Sequence, residues 1–76
     1  IDGSFVRNLD ESGLSEAVVR SITEIAHLLG KRAVGEQAET ELQLQHLRTL
    51  GVDYAQGYVF RRPQPIEAFF GLPEKA

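Results

Sequence analysis

Apolar side chains recur at Leu14, Val18, Ile22, Ile25 and Leu29, with Ala17 and Ala26 beside them. Steps of three and four residues place them on one stripe of a helix over 14–29. Ser12 or Ser15 can cap its start, and Gly30 stands where a left-handed residue closes a helix. Arg32-Ala33-Val34 then reads as a short strand. Thr40 offers the next N-cap, with Gln43 three residues on to complete a capping box. Leu42, Leu47 and Leu50 form the apolar face of that second helix, with Leu44 flanking it, and Gly51 stops it. Tyr54 to Phe60 is aromatic and β-branched enough for a second strand. Pro63 and Pro65 punctuate a loop, Pro65 suits a first helical position, and 66–70 is a short closing helix.

The predicted order is helix–strand–helix–strand–helix, with helix-ending glycines 21 residues apart (51 − 30). Short strands alternating with helices predict α/β architecture with parallel strands. Two such strands cannot complete a buried parallel sheet, because each needs neighbours on its edges and cover on both faces. The pattern therefore predicts part of a larger sheet or (β/α)8 barrel, here its last two to three βα units. Chemistry in such a barrel sits at the C-terminal ends of the strands. Glu36 and Gln56 both fall at or near such ends.

Composition narrows this further. A chain of 76 residues has a marginal core, since a domain near 60 residues buries only about 60% of its unfolded surface. No cysteine is present to staple it, which suits a reducing compartment. Ile1-Asp2-Gly3 opens the chain without an initiator Met, and we expect a fragment of a longer polypeptide. The net charge of −3 gives no basic field to attract DNA or RNA. No apolar stretch approaches the roughly 20 residues needed to span a bilayer, and no signal peptide is visible.

"VGEQAETE" (34–41) places Glu36, Glu39 and Glu41 just after an apolar run, where burying an unpaired charge is costly. Glu41 suits the positive end of the following helix. Glu36, taken alone, reads as a solvated loop carboxylate at a strand exit. His27 and His46 lie on helix patterns without partners at ligand spacing, so surface roles are expected.

Three segments together resemble the C-terminal third of the EAL domain, the bacterial cyclic-di-GMP phosphodiesterase family. "IDGSFV" (1–6) resembles K-I-D-x-S-F-V after its catalytic lysine. "VGEQAET" (34–40) is similar to V-A-E-G-V-E-T, and "DYAQGYVFRRP" (53–63) to D-Y-A-Q-G-Y-x-F-x-R-P. Order and separations agree, and the resemblance covers nearly all of the chain.

What this resemblance implies is a TIM-type barrel with one antiparallel strand, of which 1–76 is the C-terminal portion with no complete domain boundary inside it. It implies hydrolysis of cyclic di-GMP to pGpG in the cytoplasm, with two Mg²⁺ or Mn²⁺ ions per complete domain. Glu36 would be a metal ligand or proton acceptor, with Glu39 supporting it. Gln56, Gly57 and Tyr58 would line the substrate site. Gly35 replaces the family's Ala, Gln37 its Gly and Ala38 its Val. If position 37 needs φ > 0, Gln is strained there, and a degenerate domain that senses the nucleotide or docks a partner becomes the alternative. A structural α/β segment with no nucleotide role is the third reading. The E-A-L signature, most of the ligands and the lysine are absent here. Strand edges and apolar helix faces that the rest of a barrel would cover are expected to drive self-association of an isolated chain. The purified 76-residue chain is expected to hydrolyse no cyclic di-GMP, and a measurable release of pGpG from it would refute that.

Overall fold

A computed structural model describes residues 1–57 and 62–70. Its elements are α1 (Gly3–Arg7), α2 (Gly13–Leu28), β1 (Val34–Ala38), α3 (Glu41–Thr49), β2 (Tyr54–Gly57) and β3 (Gln64–Pro65), followed by a 3₁₀ turn (Ile66–Phe69). Helix α2 starts where Ser12 Oγ accepts the Ser15 N–H at 3.2 Å. It stops at Gly30, whose φ of +71° costs a glycine little, and the Lys31 N–H then closes back on the Ala26 carbonyl at 2.8 Å. The face turned to the core carries Ser15, Val19 and Thr23. The apolar stripe lies one residue round the helix, about 100° away. Leu14, Ile22, Ile25 and Leu29 on that stripe are exposed, as is Leu28.

The first strand lies further along the chain than Arg32–Val34. Hydrogen bonding decides its place. Ala33 still belongs to the approach, where its carbonyl accepts from the N–H groups of Asp53 and Tyr54. The parallel ladder then pairs Val34 with Tyr54, Gly35 with Ala55 and Ala38 with Gly57. On its other edge β1 is held by Ile1, whose backbone nitrogen donates to the Val34 carbonyl at 2.6 Å and whose carbonyl accepts from Glu36 N–H at 3.2 Å. Strand β2 pairs antiparallel with β3, giving the order β1-β2-β3. Helix α1 and strand β3 lack a sequence pattern of their own, being too short to show a period. The expected closing helix is a single 3₁₀ turn, and residues 58–60 of the expected second strand lie outside the described residues.

Helix α3 opens on the expected capping box, with Thr40 Oγ1 accepting from Gln43 N–H and Gln43 Oε1 from Thr40 N–H, both at 3.1 Å. Its buried face is Gln43, Leu44 and Leu47, whereas Leu42 is exposed. Leu44, not Leu42, therefore joins the core, because the sheet sits on the side that Leu47 faces. Leu47 is fully buried over Gly35, where a Cβ would come within 2.8 Å of Leu47 Cδ1. Val6, Leu9, Val19, Ala33 and Val52 fill the rest of that layer. Arg48 grips Glu67 through two bonds of 2.9 and 2.8 Å and lies 4.5 Å from the Phe70 ring centre, which seats the 3₁₀ turn on α3.

Asp53 ties these pieces together. Its Oδ2 accepts the Ala33 N–H at 2.8 Å and lies 2.7 Å from His27 Nε2, while its carbonyl accepts Ile66 N–H at 2.8 Å. Desolvation pushes its carboxyl up, but the Ala33 N–H, His27 and Arg32 outweigh that and hold it below the ordinary carboxylate value. A depressed folded value adds stability above the unfolded value that is lost as pH falls through the folded one. Asp53→Ala is expected to cost about 1–2 kcal/mol at neutral pH, the size of an unsatisfied backbone donor. Urea titrations should show the gap from the parent narrowing below about pH 4.

Candidate functional site

Strand alternation fixes which side chains share a face. Gly35 and Ala55 are paired in register and both are buried. Gly35 looks onto Leu47 of α3, so Glu36 and Gln56, the next residues, turn to the opposite face. Glu36 is exposed there and Gln56 is half-buried. The two candidates thus sit on adjacent parallel strands, on the side away from the helix layer. Glu36 is the middle residue of β1, and not at the strand exit that the sequence suggests, because the hydrogen-bonded run extends to Ala38.

The ladder carries one mismatch between them. Two residues, Glu36 and Gln37, stand between Gly35 and Ala38, whereas Gln56 alone stands between Ala55 and Gly57. This is a β-bulge, and such an extra residue re-aims the side chains around it. Gln37 has φ +55°, the only positive φ at a non-glycine among the described residues. Position 37 is therefore left-handed, and glutamine is strained there. Gly57, at φ +129°, lies against the bulge. A Cβ there would stand 2.9 Å from Ala38 N, 3.0 Å from Ala38 O and 3.1 Å from Gln37 Cα. Its lack of a side chain is what admits the bulged backbone.

Glu39 follows the strand at the turn into α3. Its N–H donates to Gln43 Oε1 at 2.8 Å and its side chain is exposed. Glu41 is the first-turn acid of α3, as expected. Tyr58 lies outside the described residues. Asp2 is the N-cap of α1, accepting Ser4 N–H at 2.7 Å, and that bond holds its carboxyl below the ordinary value. Both histidines have acidic partners that the sequence concealed, His27 on Asp53 and His46 on Asp10, each at 2.7 Å. A further contact had no local signal. Arg7 Nη1 donates to Gln37 Oε1 across 30 residues of sequence.

Among the described residues no three His, Cys, Asp or Glu side chains converge to hold a metal. Glu36 supplies one hard oxygen donor, suited to a cation such as Mg²⁺, on an open face. No helix among the described residues is long and apolar enough to cross a membrane.

The profile of the EAL domain family matches residues 1–63. The chain is 39% identical over 69 residues to the cyclic di-GMP phosphodiesterase PdeB of Shewanella oneidensis, an alignment covering 91% of this chain and 8% of that protein. It is 44% identical over 66 residues to the probable cyclic di-GMP phosphodiesterase PdeA of Escherichia coli K12, covering 87% of this chain and 9% of that one. Among solved structures, the EAL enzyme Bd1971 bound to cAMP and cyclic di-GMP matches with a TM-score of 0.75 at 36% identity, over 91% of this chain and 18% of that one. The chain thus spans less than a tenth of the length of these two curated relatives.

The fit of Gly57 to the bulge makes it a sensitive position. Gly57→Ala is expected to destabilise the fold by about 1–3 kcal/mol, from its positive φ and the contact with Ala38. Thermal melts of the parent and variant would measure it, and equal midpoints would refute it.

Proposed function

The chain belongs to the EAL domain family, an α/β fold of the TIM-barrel type, and from that premise we propose that residues 1–76 are the C-terminal portion of one barrel in a cyclic-di-GMP phosphodiesterase. The observation that carries this reading is the placing of Glu36 and Gln56 on one face of two adjacent parallel strands, with Gln56 next to the C-terminal residue of β2. Barrel enzymes gather their chemistry at that end.

In this reading Glu36 would hold a divalent cation, Mg²⁺ or Mn²⁺, with donors contributed by the rest of the barrel. Two such cations supply polarisation of the phosphoryl oxygens and a lowered pKa for the attacking water. The chain's own residues have distinct tasks. The Glu36 carboxylate ligates, or accepts the proton that the attacking water loses. Gln56 offers an amide donor and acceptor to orient that water. Gly57 keeps one approach to the strand ends free of side chain, and Tyr58 would line the nucleotide pocket. Glu39 supports the loop from the turn into α3. One phosphodiester of cyclic di-GMP opens and linear pGpG leaves. A single carboxylate cannot assemble this site, so the 76-residue chain alone is inactive. The parent domain works on the cytoplasmic side, free or tethered to a membrane. Alone, the chain self-associates through the bare flank of α2.

One observation favours a second reading, a non-catalytic EAL domain that senses cyclic di-GMP or docks a protein. Gln37 holds the left-handed position where glycine is usual in the family. The two readings separate in the full-length protein assayed with Mn²⁺. Glu36→Gln should lower kcat at least about a hundredfold, since even residues behind a metal ligand cost about 10–100-fold. An unchanged rate removes Glu36 from the mechanism. Tight nucleotide binding without turnover by the unmodified protein supports the sensor.

A further inference from the structure

A left-handed glutamine in a strand is unfavourable by about 1–2 kcal/mol, and it persists only where its surroundings hold it. Three contacts surround Gln37. Its Oε1 accepts from Arg7 Nη1, in the last turn of α1. Its side chain lies across the Cα of Gly3, where a Cβ would stand 2.5 Å from Gln37 Cδ and 2.9 Å from its Cβ. Its own Cα abuts Gly57 from the other side. Helix α1 is a firm support for this, because Val6 between Gly3 and Arg7 is fully buried.

We propose that Arg7, Gly3 and Gln37 form a latch that fixes the β1 bulge, and that Gln37 is a positioning residue for Glu36. A glycine at 37 would adopt the same φ freely but leave the bulge free to leave it too. Glutamine makes the bulge conditional on the latch: its side chain reaches α1 only while residue 37 stays left-handed. Gly3 completes the arrangement, since any larger residue there would occupy the space of the glutamine side chain. The direction in which Glu36 leaves β1 is then set by α1, an element 30 residues earlier in the chain. The significance of that direction for turnover rests on the phosphodiesterase reading of Glu36. The latch itself does not.

The test uses the full-length protein and two readouts. Gln37→Asn keeps a residue that tolerates the left-handed region but shortens the side chain by one methylene, so that it falls short of Arg7. Arg7→Ala removes the donor, and Arg7→Lys restores one. In metal-free, nucleotide-free protein, amide exchange at residues 36–38 should quicken at least about fivefold in Gln37→Asn and in Arg7→Ala, the scale of one net hydrogen bond. The double variant should be no faster than either single one, and Arg7→Lys should recover part of the protection. Unchanged exchange, or fully additive effects, overturns the latch. With Mn²⁺ and cyclic di-GMP, the same variants should lower kcat about three- to thirtyfold, within the range seen for residues that orient a ligand, with KM held. Quickened exchange with unaltered kcat overturns the positioning role, provided Glu36→Gln abolishes turnover. If Glu36→Gln is silent, the phosphodiesterase reading of Glu36 fails, and the exchange result still decides the latch.

Discussion

The Asp53 carboxylate lies where α2 ends and both parallel strands begin. It accepts from Ala33 N–H and meets His27, and its own carbonyl takes the N–H of Ile66. These bonds fix the first rung of the ladder, and the first rung determines those that follow until a bulge intervenes. Val34 is thereby set opposite Tyr54 and Gly35 opposite Ala55. A slip of one residue would turn Glu36 onto Leu47 and bury a carboxylate against a leucine, which is strongly unfavourable. The side of the sheet on which Glu36 appears is thus decided well away from Glu36, by an aspartate at the other end of the strand.

Beyond the Gly35–Ala55 pair the two strands stop matching. Strand β1 carries one residue more than β2 before Ala38 meets Gly57, and the surplus is housed in the left-handed turn at Gln37. Two glycines make this possible from opposite sides, Gly3 receiving the glutamine side chain and Gly57 the bulged backbone. The bulge also brings Ala38 back to the buried side, so the strand re-enters the core before the chain turns into α3. Register and mismatch act in sequence along the strand: the one selects the face of Glu36, the other its direction.

The sequence disclosed what is governed by neighbours in the chain. Ser12, Gly30, Thr40 and Gln43 mark their helix ends because capping bonds span three or four residues. It disclosed less where a distant partner decides. Periodicity gives a helix's pitch but not which way it is turned, so Leu42 took the place that belongs to Leu44. Arg32 and Ala33 look like strand residues, yet Ile1 and β2 select Val34–Ala38 as the hydrogen-bonded run. Helix α1 and strand β3 are shorter than any period. At the candidate site, the shared face of Glu36 and Gln56 follows from the pairing of Gly35 with Ala55, which nothing local to either residue announces. The left-handed backbone at Gln37 could be suspected only from the glycine in a similar motif, and Arg7 lies 30 residues from its partner with nothing local to announce it.

The outward flank of α2 has a consequence for the life of this chain in a cell. Leu14, Ile22, Ile25, Leu28 and Leu29 present branched hydrocarbon to water on a single helix. Holdase chaperones and degradative proteases select for such stretches, because a bare aliphatic strip is the common mark of unfinished folding. Whatever covers it governs abundance as well as shape, and a substitution along this flank would change how much protein accumulates before it changed anything at Glu36.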